Sequence, residues 1–362
     1  MTNDAARSVV AKLVRTEFSG ELNGVPSMGP DLTRDVIRVA QQNKILKPVL
    51  KKLEASGVSI PDDLQPEVDT YLRRTMKNNA RALATVRQVA KTLSDAGVEH
   101  VAFKGPIRQI ALSQDVFERP VTDVDILVRQ VDFSRATEIL QGIGYTVPSI
   151  CDSPWWRYYL GEHHLFPNDR HLWAVDLHHR TQQPSCPRPR DQAALLNNPK
   201  WIEVGGQPVA TFGDTSNFLN TVMSVVKGIS NHEPTGAHVI DLARQLHSAG
   251  DAKRAEFARA AREQGLVKSY TVARRAVMVM TGLDVGPTPP WFVSDEMLLT
   301  MLLTPDAVGV RLPQRRHILW HLVDDQTPIA RAVNFVREFA WMTAAEFTRR
   351  THDVSGQKAQ TK

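Results

Sequence analysis

The chain has 362 residues, 42% of them apolar, which is enough for two or three packed units and typical of a water-soluble globular protein. Its 44 basic and 39 acidic side chains leave a formal charge of +5; this suits anionic ligands without requiring nucleic acid. The basic residues are spread out rather than gathered into an arm, which leaves a nucleic-acid partner open, though so small a net charge argues slightly against a large nucleic-acid footprint. With only Cys151 and Cys186, a disulfide framework and a four-cysteine zinc site are both excluded.

The opening segment, MTNDAARSVVAKLVRTEF, lacks the uninterrupted apolar core of a signal peptide. The longest apolar run, MLLTMLL at 297–303, is too short to span a bilayer, so a cytoplasmic protein with no membrane part is expected. Residues 1–95 read as a helical region. Leu32, Val36 and Val39 form one apolar stripe; Leu83, Val86, Ala90 and Leu93 form another, stopped by Gly97, with a loop at SGVSIPDDLQPE between them.

From residue 96 to 185 the period changes. VEHVAF reads as a strand ending at Lys104-Gly105, Pro106 suits the first turn of a helix, and VTDVDILV reads as a second strand. An amphipathic helix follows, with Asp132 at its N-cap and Phe133, Ala136, Leu140 and Ile143 on its apolar side. The stretch GEHHLFPNDRHLWAVDLHHR then reads as a hairpin turning at PNDR. Beyond the Pro-rich TQQPSCPRPR, residues 186–350 read as mainly helical and 351–362 as a frayed polar tail. The expected fold is α+β: a small mixed sheet with helices, flanked by helical regions on both sides.

Two carboxylates interrupt the second strand. Residues two apart on a strand point the same way, so Asp123 and Asp125 project together while Val124 and Ile126 face the core. Paired carboxylates repel unless one is protonated or a cation neutralises them, and an oxygen-only ligand set favours Mg²⁺, with Mn²⁺ as a substitute. A solvated surface pair would look the same in sequence. FKGP adds a glycine turn, the start of a helix and the charge of Lys104, features that suit phosphate. In WAVDLHHR, alternation sets Asp176, His178 and Arg180 on one side, which gives either a third acid beside the pair or an exposed polar face.

The order of these motifs, from Lys-Gly through Arg-Pro, Asp-x-Asp-Ile-Leu-Val, Gly-Tyr and Gly-x-His-His to Val-Asp-Leu-His, resembles the uncharacterised nucleotidyltransferase family of the polymerase-β-like superfamily. The resemblance covers about 78–182 and extends more weakly through the helical flanks, including VIDLARQL near 239–246. It implies that Asp123, Asp125 and Asp176 hold catalytic metal, that Lys104 and Gly105 hold the triphosphate, and that Arg119 either contacts phosphate or braces its turn. His178 and Arg180 are candidate substrate or phosphate contacts. The implied activity is Mg²⁺-dependent transfer of a nucleoside monophosphate from an NTP, ATP first among them, to an acceptor hydroxyl with release of pyrophosphate. The acceptor is open: a small molecule, a peptide, a protein or an RNA. Lys-Gly-Pro stands where the superfamily has Gly-Ser, and Phe117 where the family has Tyr. A degenerate member that binds nucleotide or a protein partner is the alternative, and a helical scaffold with solvated acidic faces is a third.

Other features are read structurally. Adjacent histidines on a strand face opposite ways, so His163, His164, His171, His178 and His179 are not expected to converge on zinc. His164 either faces the same cleft or, the favoured reading, takes an ordinary polar strand position. Trp155, Trp156, Tyr158 and Tyr159 either stack on a base or line the acceptor pocket, or, the favoured reading, cover a core; Asp241 either reaches the cleft from the C-terminal helices or, the favoured reading, sits at a helix end or in solvent.

Overall fold

The computed structural model describes residues 2–20, 28–113, 115–184, 186–288, 293–307 and 327–359. The first helical region forms α1 (Thr2–Ser19), α2 (Pro30–Gln42), α3 (Leu46–Ala55) and α4 (Gln65–Asp95). The expected stripes are the buried ones: Val36, Val39, Val86, Ala90 and Leu93 are all core residues. Gly97 ends α4 with a φ of +67°, the left-handed turn that glycine adopts without strain.

A mixed sheet follows, as an α+β chain requires. Its strands are β1 (His100–Phe103), β2 (Val124–Val128), β3 (Tyr145–Thr146), β4 (Glu162–Pro167), β5 (Val175–His178), β6 (Lys200–Val204) and β7 (Gln207–Thr211), in the order β3-β4-β5-β2-β1-β7-β6. Helix α5 (Gly105–Leu112) links β1 to β2, and α6 (Phe133–Gly142) follows β2. β1 runs antiparallel to β2, β2 parallel to β5, and β4 antiparallel to β5 through the expected hairpin. Strand β2 starts at Val124, so Asp123 lies just ahead of it. There Val121 N–H donates to Asn79 Oδ1 at 3.1 Å, and a side chain takes over what the ladder does not hold.

The β6–β7 hairpin is an addition to the expected helical region. Gly205 and Gly206, both at positive φ, make its turn. After it come α7 (Asp214–Asn231), α8 (Gly236–Ser248), α9 (Asp251–Glu263), α10 (Val267–Thr281), α11 (Asp295–Leu303) and α12 (Pro328–Ala359). Residues 308–326, within the helical run expected to 350, lie outside the described residues. α12 carries helical backbone to Ala359, through most of the stretch expected to fray. Its run from 344 to 355 holds no Gly or Pro, and a helix once formed propagates at one bond per residue.

The sheet separates two cores. Ala102, Ile126 and Val128 face α4 and α6, meeting Val86, Val89 and Leu140. Val101, Phe103 and Leu127 point the other way and join Leu13 of α1, Met223 of α7 and Met280 of α10. Period-two alternation thus lets the N-terminal and C-terminal helices share one core on the same side. Among the described residues no helix is long and apolar enough to cross a membrane.

Candidate active site

Strand register places the acids. Asp125 on β2 sits opposite Asp176 on β5, and Phe103, one residue before Lys104, sits opposite Asp125. Asp123, Asp125 and Asp176 all line one cavity of about 620 Å³. The same cavity takes in Lys104, Gly105, Arg119 and His178. Arg180 falls outside its lining and stands 5.2 Å from the centre of the Trp341 ring, where a cation–π contact holds it.

The Lys104-Gly105 turn is unusual backbone. Lys104 has φ +61° and Gly105 φ +46°, both in the left-handed region. A lysine there costs free energy, the kind of strain that persists where the surroundings over-determine a functional turn. The turn puts Lys104 and Gly105, at the start of α5, into the lining of the cavity. Gly105 also has little room, because a Cβ there would come within 3.1 Å of Val121 Cγ1.

The acids alternate with internal cations. Lys104 Nζ donates to Asp125 Oδ1 at 2.7 Å, and His178 Nε2 donates to the same oxygen at 3.1 Å. His178 Nδ1 lies 3.3 Å from Glu162 Oε2; Glu162 Oε1 lies 3.3 Å from His164 Nε2, and His164 Nδ1 bonds Asp176. The chain of contacts runs Lys104, Asp125, His178, Glu162, His164, Asp176. Burial alone would raise the Asp125 carboxyl, but Lys104 and His178 hold it well below the usual carboxylate range. Asp123 has no such partner. Burial, then the charges of Asp125 and Asp176, push it up to about 6. The Asp176 hydrogen bond raises His164 against its burial, while Glu162 and the Asp125 hydrogen bond raise His178.

This donor set fits a divalent cation. Asp123 carries a repulsion that a metal would relieve, and Glu162, His164 and Asp176 offer ligand atoms all within 4.8 Å of one another. The oxygens suit Mg²⁺, and the imidazole widens the choice to Mn²⁺.

The match to known proteins spans α2 through α10: residues 31–281 fit the family described as uncharacterised nucleotidyltransferase. The chain belongs to that family. No curated protein matches it. Within the nucleotidyltransferase family an NTP is the expected donor, and the cavity lies wholly inside the matched span.

Several residues of this nucleotidyltransferase-family site escape a sequence reading. Arg108, 2% exposed, lines the cavity; its guanidinium is 3.7 Å from Asp241, and none of its nitrogens has a hydrogen-bond partner. Burial pushes it down to about 10. Its signal was spacing, four residues after Lys104 and hence one helical turn along. Glu162 was marked by alternation on β4, two residues before His164; His164, read as either a cleft residue or an ordinary strand position, faces the acids, while His163 turns back onto Phe133 and Thr137. His164 and His178 both lie 3.3 Å from Glu162, while His163 and His179 pack on Phe133. Two expectations change. Asp241 is neither at a helix end nor solvated: at 2% exposure within α8 it accepts from Arg119 at 2.6 and 2.8 Å. That bidentate pair ties the turn carrying Arg119 to α8, while Arg119 also lines the cavity. The aromatics also stay half exposed, on a π-helical turn at Trp155–Leu160. Trp156 packs edge-on against His164 at the cavity.

Proposed function

We propose that this protein transfers a nucleoside monophosphate from an NTP to an acceptor hydroxyl and releases pyrophosphate, with Mg²⁺ or Mn²⁺ bound by Asp123, Asp125 and Asp176. The observation that carries the reading is the convergence of these three acids with Lys104, Arg108 and the start of α5 in one cavity. Bound there, the cation would lower the pKa of the acceptor hydroxyl and neutralise the charge that builds on the departing phosphates. Lys104 and Arg108 orient the β- and γ-phosphates, and α5 offers its free N–H groups to them. Asp176, held by His164, receives the acceptor proton. The acceptor oxygen bonds to the α-phosphorus as the bond to the β-phosphate oxygen breaks, and the electron pair leaves with pyrophosphate. ATP is the first donor to test. A cytoplasmic setting suits this reading, since NTPs and Mg²⁺ are plentiful there and the buried thiols Cys151 and Cys186 stay reduced.

One observation favours the second reading, a binder without turnover: Lys104 already neutralises Asp125. Incubating the protein with Mg²⁺, each α-labelled NTP and cell extract separates the two. Transfer of label with pyrophosphate release is expected for the wild type, and Asp125→Asn and Asp176→Asn should each lower it at least about 100-fold, in the range of single electrostatic catalytic groups. Nucleotide binding without pyrophosphate release from any of the four NTPs would establish the binder. Release undiminished in both variants would remove the site.

A further inference from the structure

Five lysines and arginines line the acid cavity, and three of them are already matched. Lys104 is paired with Asp125 at 2.7 Å, while Arg119 and Arg108 share Asp241 at 2.6 and 3.7 Å. Lys44 and Lys227 remain: among the described residues neither side chain makes an ion pair or a hydrogen bond. Lys44 is near enough to the acids for its charge to pull the Asp123 carboxyl down, against the larger upward push of burial, Asp125 and Asp176.

A close-packed junction brings these two lysines together. Asn43, buried and next to Lys44, accepts from Gly236 N–H at 2.9 Å where α8 starts. A Cβ at Gly236 would lie 2.8 Å from Asn43 Oδ1, and one at Gly228, next to Lys227 on α7, would lie 2.5 Å from Thr235 Oγ1. Lys44 and Lys227 are thus each one residue from a contact with the Thr235-Gly236 step. Lys44 itself has φ +56°, at a helix end where glycine is the usual residue. It and Lys104 are two of the four non-glycine residues at positive φ among the described residues, and both line this cavity. Strain of that kind persists where the surroundings over-determine a working residue. Asn43 does so here, donating also to Val39 O at 2.9 Å and to Leu303 O at 2.7 Å.

We propose that Lys44 and Lys227 bind a terminal phosphate group, and that this group belongs to the acceptor, a phosphorylated small molecule. The inference rests on the nucleotidyl-transfer reading, in which Lys104, Arg108 and the start of α5 already serve the phosphates of the donor. An ammonium binds phosphate as a point charge, and a phosphate monoester carries about −1.5 to −2 at neutral pH. Two unpaired lysines match that charge, whereas a carboxylate would leave one of them uncompensated. The cavity, about 620 Å³, is of the size that encloses small molecules.

The test is calorimetric titration of inorganic phosphate into the full chain saturated with Mg²⁺ and a non-hydrolysable NTP analogue, beside titration of the analogue itself. Lys44→Gly and Lys227→Met should each weaken phosphate binding about tenfold, the loss of one charge-assisted contact, and leave analogue affinity within about twofold. Lys44→Gly should also melt at the wild-type temperature or above, because glycine takes the left-handed turn without strain. Weaker binding with no loss of melting temperature marks a ligand contact, and a lowered melting temperature beside it marks a structural lysine and overturns the proposal. A comparable loss of analogue affinity would give the two lysines to the donor's γ-phosphate and overturn the acceptor assignment. Phosphate affinity that ignores both variants, or no phosphate binding by the wild type, overturns the site. Because these titrations need no turnover, the variant pattern without pyrophosphate release from any NTP keeps the anion site and removes the transferase reading, and release without the pattern does the reverse.

Discussion

Asp123 is the residue whose charge the fold does least to accommodate. Asp125 has Lys104 and His178, and Asp176 has His164, while Asp123 meets two like charges in a partly buried position. Its pKa, pushed up from 3.8 to about 6, means that the folded state binds this proton more tightly than the unfolded state does. Stability from this group is therefore intact below about pH 4, falls as pH rises toward 6, and stays reduced above it. In chelated protein, Asp123→Asn should gain on the order of 2–3 kcal/mol at pH 7.5 and nearly nothing at pH 4. Urea melts at the two pH values measure it, and an equal gain at both would refute the repulsion. Mg²⁺ should stabilise the wild type and leave the variant nearly unmoved. The paired acids were legible in the sequence because strand alternation is local. Glu162, His164 and Arg108 were harder to place, because their meaning depends on which strand or helix lies opposite.

At the scale of elements, the segment carrying Arg119 to Asp123 has no ladder of its own and is stapled by three helices. Asn79 of α4 donates to Arg119 O at 2.8 Å, Gln109 Oε1 of α5 accepts from Arg119 N–H at 3.0 Å, and Asp241 of α8 holds the guanidinium. Removing one member of a buried ion pair leaves the other uncompensated. Asp241→Ala should thus cost about 3–5 kcal/mol, stranding Arg119 and Arg108 together, and should lower transfer activity without touching a metal ligand. A denaturant midpoint within error of wild type would show that the pair does not brace the segment. The strand–helix–strand core was readable because Gly97, Gly105 and Pro106 punctuate it. The β6–β7 hairpin was not read, although Gly205-Gly206 marks its turn. Pro208 argues against a strand, yet it is tolerated because β1 pairs with β7 at Thr211, beyond the proline.

Across the whole molecule, the cavity belongs to no single segment. Lys44 enters from the turn after α2, the acids from the sheet, and Lys227 and His238 from α7 and α8. Asn43 ties the outer parts together, donating to Leu303 O at 2.7 Å and accepting from Gly236 N–H at 2.9 Å. The segments 1–95, 96–185 and 186–350 differ in the period of their apolar residues, but the core beneath β1 is built from α1, α2, α7, α8 and α10 at once. Cutting the chain at those boundaries would expose Leu13, Phe103, Met223 and Met280, each worth about 1.5–3 kcal/mol on burial, against a total stability of about 5–15 kcal/mol. One cooperative unit follows. Scanning calorimetry of the full chain should show a single transition with calorimetric and van't Hoff enthalpies in agreement, and the excised segment 96–185 should show no melting transition and bind no nucleotide. Two separable transitions, or nucleotide binding by the excised segment, would mean that the sheet carries the site without its helical flanks.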